Sequence, residues 1–117
     1  MIKKLPVLSI SLYYLFVFSS AFAACPPATP TNAPGFCSSF KLAAQCHCTS
    51  SGLPLGMCTN MRALYDRMNS MFGSVRRACE YQHETSPQNC IDSWNCYWSG
   101  GRNSQNELCS GTGRSCE

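Results

Sequence analysis

Charged side chains are scarce in this chain. Asp, Glu, Lys and Arg make up 13% of its 117 residues, about half the share found in typical globular domains. No basic stripe, acidic tail or lysine cluster interrupts the sequence. A nucleic-acid-binding protein needs a basic face, and a membrane-surface protein needs clustered cations. We therefore expect no nucleic-acid partner, and no membrane partner for the mature chain.

Motifs for known catalytic and redox chemistry are also missing. No Cys-x-x-Cys pair occurs, which removes the usual signatures of a thiol oxidoreductase and of covalent haem. His83-Glu84 lacks the second histidine of a His-Glu-x-x-His zinc site, and no Gly-x-Ser-x-Gly elbow is present. We expect no enzymatic activity and no cofactor. The enzyme alternative is a small secreted hydrolase without a known motif.

The N-terminus has the organisation of a signal peptide, which we assign to residues 1–23. Lys3 and Lys4 form a short basic region, and residues 5–18 are an apolar run. A small-x-small cleavage site ends at Ala23. The run approaches the lower length limit for a membrane span, but the cleavage site favours removal. The mature chain is then about 94 residues, short enough that a hydrophobic core alone stabilises it only marginally.

Cysteine is the abundant residue, and all ten copies follow the predicted cleavage site. Ten can pair completely, whereas a lipid anchor on Cys25, the minority alternative, would leave nine. This density is typical of a disulfide scaffold from an oxidising compartment, so we expect a secreted or periplasmic protein. The predicted disulfide cysteines are Cys25, Cys37, Cys46, Cys48, Cys58, Cys79, Cys90, Cys96, Cys109 and Cys116.

The periodicity of the mature chain predicts a mainly α fold: a small, disulfide-stapled bundle of two or three helices. Residues 24–34 are rich in proline and predict an extended lead-in. Residues 35–117 are assigned to a single disulfide-rich helical domain. Within it, short apolar steps predict a helix over residues 36–45, and Ser86-Pro87 starts an aromatic helix. The tail after Gly101 is expected to be irregular.

One long helix over residues 57–83 is the predicted centre of this bundle. Thr59 or Asn60 is placed to cap it, and Gly73 alone argues against an unbroken helix. Arg62 and Asp66 are spaced to pair on its exposed face, as are Arg76 and Glu80. Its apolar face, which we expect to form the core, comprises Met57, Met61, Leu64, Met68, Met71, Phe72, Val75 and Cys79.

Connectivity is not determined by the spacing of ten cysteines, which allow about 945 complete pairings. Antiparallel helices would bring Cys79 near Cys90, and the preceding turn would bring Cys46 or Cys48 near Cys58. For the tail, two alternatives stay open: a local bridge from Cys109 to Cys116, or a tail cysteine returning to Cys96.

Two sets of residues are candidate sites. Cys46, His47 and Cys48, with nearby methionine sulfurs, suit a soft metal ion such as Cu(I) or Zn(II). We expect disulfides and a methionine core instead, because an oxidising compartment consumes thiols. The candidate binding residues lie on and after the aromatic helix, where exposed aromatic and arginine side chains form interface hot spots: Trp94, Tyr97, Trp98 and Arg102.

These observations favour an exported, non-catalytic interaction protein: a periplasmic assembly or accessory factor, or a secreted effector, inhibitor or toxin-like factor. Its partner is expected to be another protein. Disulfides would preorganise the binding surface and reduce the ordering cost of association. A soft-metal binding protein and a small secreted hydrolase are the alternatives.

Overall fold

The computed structural model of the chain describes residues 25–117, so the predicted signal peptide lies outside the described part. This part is helical and contains no β-strand, which confirms the mainly α prediction. Its three longer helices, Phe36–Ser50, Met61–Phe72 and Pro87–Ser99, form the predicted bundle. In chain order the elements are α1 (Phe36–Ser50), α2 (Leu55–Cys58), α3 (Met61–Phe72), α4 (Val75–Tyr81), α5 (Pro87–Ser99) and a 3₁₀ turn (Cys109–Gly111).

The predicted long helix over residues 57–83 is wrong, because the chain breaks at Gly73. Gly73 adopts a left-handed conformation with φ +86°, which ends α3. Ser74 then caps α4 by accepting a backbone hydrogen bond at 3.1 Å. At the other end, Asn60 caps α3 with a bond of the same length. The sequence therefore forms α2, α3 and α4, each with its own start signal.

Helix α1 continues five residues beyond its predicted end at Gln45. Hydroxyl groups support the additional turn: Thr49 donates to the Gln45 carbonyl at 3.1 Å, and Ser51 donates to the His47 carbonyl at 2.8 Å. Small polar residues thus extend the helix, because their side chains bond to the backbone of the preceding turn. The extension places His47 on the helix, facing the groove described below.

The core is an aromatic cluster between α1 and α5. Phe36 and Phe40 stack at 5.4 Å between ring centroids, and Phe40 meets Trp94 edge-on at 4.8 Å. Tyr97 is 2% exposed and packs against Phe40. Met61, at the start of α3, completes the cluster. Each such side chain stabilises the fold by about 1.5–3 kcal/mol through burial.

The expected methionine core is largely absent, although the three methionines concerned share one helix, α3. Met61 is buried, but Met68 is only partly buried and Met71 is 56% exposed. Aromatic side chains from α1 and α5 fill the interior instead. The remaining methionines of α3 contribute to a surface groove.

All ten cysteines are paired, and three of the expected pairings are present, including the return of a tail cysteine, Cys109, to Cys96. Turn geometry correctly indicated Cys79–Cys90, and of the two alternatives for Cys58 the structure has the bridge to Cys48. The expected alternative of a bridge from Cys109 to Cys116 is wrong, because the Cys116 N–H donates to the Tyr97 carbonyl at 2.8 Å. That bond places the tail beside α5, within reach of α1. The disulfides are Cys25–Cys46, Cys37–Cys116, Cys48–Cys58, Cys79–Cys90 and Cys96–Cys109.

The lead-in is fastened to the domain along its length. Cys25 is bonded to Cys46, so its sulfur is not free to carry a lipid. Thr31 is buried, and its carbonyl accepts from the Ser110 N–H at 2.7 Å. The Asn103 amide donates to the Thr31 hydroxyl at 2.9 Å. Between residues 25 and 117, no helix combines the length and apolar composition needed to cross a bilayer.

Candidate interaction groove

An open groove of about 950 Å³ lies between α1, α3 and α4, with α5 as its floor. Its wall is mostly apolar, with Trp94 and Phe40 at the base and Phe72 packed 5.0 Å from the Tyr81 ring. Met71 and Tyr81 expose more than half of their surface. The large apolar side chains of the lining are Phe40, Leu53, Leu64, Met68, Met71, Phe72, Tyr81 and Trp94.

Three different disulfides fasten the walls of this groove. Cys25, Cys48 and Cys90 all line it, and each belongs to a separate bridge. The bridges join the lead-in to α1, α1 to α2, and α4 to α5. The bridges restrain the lead-in against α1 and α4 against the α5 floor before any ligand arrives, which lowers the ordering cost of binding; α3 is held by packing.

Ten of the 26 residues that line the groove are polar, and four of them have side chains that can carry charge. His47 from α1 and His83 after α4 both line it, together with Arg67 and Glu84. The turn that carries His83 is organised by Gln82, whose amide donates to the Thr85 carbonyl at 2.7 Å and accepts from two backbone N–H groups. The two histidines lie far apart in the sequence, and the fold brings both to one surface.

These polar groups do not form a hydrogen-bonded catalytic unit. Within residues 25–117, neither His47 nor His83 forms a side-chain hydrogen bond to a carboxylate or a hydroxyl. A general base is normally oriented by such a bond before it acts on a nucleophile. What the groove offers chemically is an apolar trough with scattered polar groups.

The candidate metal ligands are engaged elsewhere. Cys46 and Cys48 are both in disulfides, so neither supplies the thiolate that a soft metal ion would require. His47, which lies between these two cysteines in the sequence, lines the groove. In the described part of the chain, no cluster of three or more His, Cys, Asp or Glu residues is arranged to hold a metal ion.

The four candidate binding residues are divided between core and surface. Trp94 and Tyr97 are 6% and 2% exposed and form the core, whereas Trp98 is partly buried. Arg102 is not beside an aromatic ring; its guanidinium donates to the Asn106 carbonyl at 2.7 Å. Only Trp98 meets a cation, and that cation is Arg62. The role of Trp98 in binding stays a prediction.

Burial and a carboxylate together perturb the phenol of Tyr97. Desolvation in the core raises its pKa, and the nearby Glu117 carboxylate raises it further, to about 12. Both effects oppose a negative charge on the phenolate oxygen. Tyr97 is therefore a neutral structural group at physiological pH.

A second, polar depression of about 390 Å³ lies between the lead-in, the start of α5 and the loop after Gly101. Its carboxylates already have partners within the protein. Asp92 accepts from the Ser104 hydroxyl at 2.5 Å, and Glu107 accepts from Asn32 and Asn103 at 2.9 and 3.2 Å. These contacts connect the tail to the lead-in and to α5. The carboxylates of the depression therefore have a structural role.

Comparisons with known proteins assign no relative. No protein-family model matches the chain, and no curated protein or solved structure is significantly similar to it.

Proposed function

We propose that this protein is an exported, non-catalytic interaction protein that captures an apolar segment of a partner protein in its groove. The observation that carries the proposal is the apolar groove whose walls three disulfides fasten. Five disulfides in a small domain are typical of an extracellular protein. The predicted signal peptide provides the route to a secreted or periplasmic location.

The composition of the groove supports a protein partner. Interfaces are enriched in aromatic residues, methionine and arginine, and depleted in lysine. The lining carries these enriched types, and no lysine is among its residues. Met68 and Met71 add flexible, polarisable side chains that adapt to different apolar surfaces. Trp94 and Phe40 give the base of the groove a fixed shape.

The partner segment is expected to be amphipathic. An elongated apolar trough between helices accepts the apolar face of a helix, whose anchoring residues recur at steps of three and four. Arg67 on the groove wall favours an acidic residue at the edge of that face. The solvent side of the segment remains polar.

The proposal is tested by peptide selection on the mature, oxidised protein. Twelve-residue peptides displayed on phage are selected on the wild type and then measured against Met71→Glu and Leu55→Glu. Both side chains are exposed, 56% and 69%, so neither substitution disturbs the core. Only Met71 lines the groove.

We expect the selected peptides to carry large apolar residues at helical spacing. Met71→Glu should weaken their binding about tenfold or more, because it places a charge in the apolar contact. Leu55→Glu should change the affinity less than about twofold. Failure to enrich any peptide, or equal losses in both variants, would overturn the proposal.

A further inference from the structure

Arg62 lies against the face of a partly buried aromatic pair, Tyr65 and Trp98, between α3 and α5. Its guanidinium carbon is 3.9 Å from the centroid of the Trp98 ring and 5.8 Å from that of Tyr65. Arg62 itself is exposed to solvent. A guanidinium at this distance is attracted by the negative face of the indole ring.

The expected partner of Arg62 along the helix is not used. Within residues 25–117, the guanidinium forms no salt bridge with Asp66 and no hydrogen bond with any acceptor. The contact with Trp98 engages the ring face, and the N–H groups have no protein acceptor in this part of the chain. Arginine has five such donors in a planar fork that matches a carboxylate.

The aromatic wall that holds Arg62 is itself fixed. Trp98 meets the buried Tyr97 edge-on at 5.0 Å, and Tyr65 packs against both Trp98 and Trp94. A free arginine loses rotamer freedom when it binds, and that loss weakens binding. Stacking on a rigid wall removes part of that freedom in advance.

We propose that Arg62, stacked on Trp98, is a carboxylate-binding hot spot that takes an Asp or Glu side chain of a protein partner. The carboxylate would accept two parallel hydrogen bonds from the edge of the guanidinium, while the indole ring stays stacked on the face of the guanidinium. Arg62, Tyr65 and Trp98 are absent from the groove lining. This site is therefore a second contact surface, independent of the proposed groove.

The probe is an acetylated tetra-aspartate peptide, titrated into the isotope-labelled mature protein and followed by NMR. The reporting signals are the Arg62 side-chain N–H and the Trp98 indole N–H. We expect saturable shifts of both. Arg62→Lys should weaken binding about five- to tenfold, because lysine keeps the charge but lacks the planar fork.

Arg76→Lys is the matched control, since Arg76 is exposed, contacts no aromatic face within residues 25–117 and lies outside the groove lining. It should change the affinity less than about twofold. Trp98→Phe should weaken binding because a benzene ring attracts a cation less than an indole. Met71→Glu should have no effect, which separates failure of this site from failure of the groove.

Three results would overturn the proposal. Equal losses in Arg62→Lys and Arg76→Lys would show diffuse electrostatic attraction. Unchanged binding by Trp98→Phe would remove the role of stacking. Inorganic phosphate binding more tightly than the peptide would identify a general anion site rather than a carboxylate site.

Discussion

Individual side chains have roles that depend on whether another element covers them. Trp94 and Trp98 lie four residues apart on α5, yet Trp94 belongs to the core and Trp98 meets Arg62 at the surface. The difference comes from α1, because Phe40 packs edge-on against Trp94. An aromatic residue on this helix is therefore a binding candidate only where α1 leaves it uncovered.

The raised pKa of Tyr97 predicts a loss of stability in alkaline solution. The phenol has its ordinary pKa of 10.0 when unfolded and one of about 12 when folded. Above pH 10 the unfolded state releases a proton that the folded state retains, so stability falls between pH 10 and 12. The loss approaches about 2–3 kcal/mol at the upper end, and this group contributes no pH dependence below pH 10.

Urea unfolding at several pH values measures this loss, with Tyr97→Phe as the control. The variant cannot ionise at this position, so its decline between pH 10 and 12 should be smaller by that amount. An identical decline in the two proteins would contradict the assignment to Tyr97.

At the scale of elements, boundaries depend on backbone conformations that side-chain periodicity does not reveal. The apolar steps across residues 57–83 are continuous, but the backbone turns left-handed at Gly73. Ser74 supplies an N-cap immediately afterwards. A glycine followed by a capping residue is a stop-and-start signal, and it outweighs the periodic pattern here.

We predict that Gly73→Ala destabilises the protein by about 1–2 kcal/mol, because an alanine side chain strains a left-handed backbone. Gly56→Ala is the matched control. Gly56 lies within α2 with an ordinary φ, and a Cβ there would meet nothing within 4 Å. That variant should be neutral or more stable by about 0.4–1 kcal/mol.

Thermal or urea unfolding of both variants checks the comparison. Equal effects would show that the break at Gly73 does not depend on its conformation. A more stable Gly73→Ala protein would indicate that α3 and α4 merge into one helix.

At the scale of the whole molecule, the disulfides are expected to stabilise the fold by different amounts, because they close loops of different length. Cys37–Cys116 joins residues 79 apart, whereas Cys79–Cys90 joins residues 11 apart. The entropy lost by the unfolded chain grows with the logarithm of loop length. The bridge from α1 to the tail is therefore expected to restrain the unfolded chain most.

Replacing both cysteines of each bridge by serine tests this ranking. In the loop-closure model, removing Cys37–Cys116 costs about 4–5 kcal/mol, and removing Cys79–Cys90 costs about 3 kcal/mol. Urea unfolding of the two double variants, with the other bridges intact, gives the two losses. A larger loss for the shorter loop would mean that native packing rather than chain entropy sets the order.

The sequence by itself determined the class of this protein: a helical domain with every cysteine available for pairing. Cysteine density indicates the disulfide scaffold, and the periodicity of the apolar residues indicates the helices. The sequence also indicated two disulfides, because short turns bring Cys79 to Cys90 and a helix end to Cys58. A third, from a tail cysteine to Cys96, was one of its two alternatives for the tail. The cysteines of the first two pairs are separated by one short turn, so the pattern of neighbouring residues is enough to predict that they pair.

Only the tertiary structure decided which apolar residues form the core and which form a groove. Met71 and Trp94 look alike as members of apolar faces, but one is exposed and the other buried. The stacking of Arg62 on Trp98 joins residues 36 positions apart, in place of the pair with Asp66 that spacing favoured. Such contacts depend on how α1, α3 and α5 cross, and no periodicity within one helix encodes that crossing.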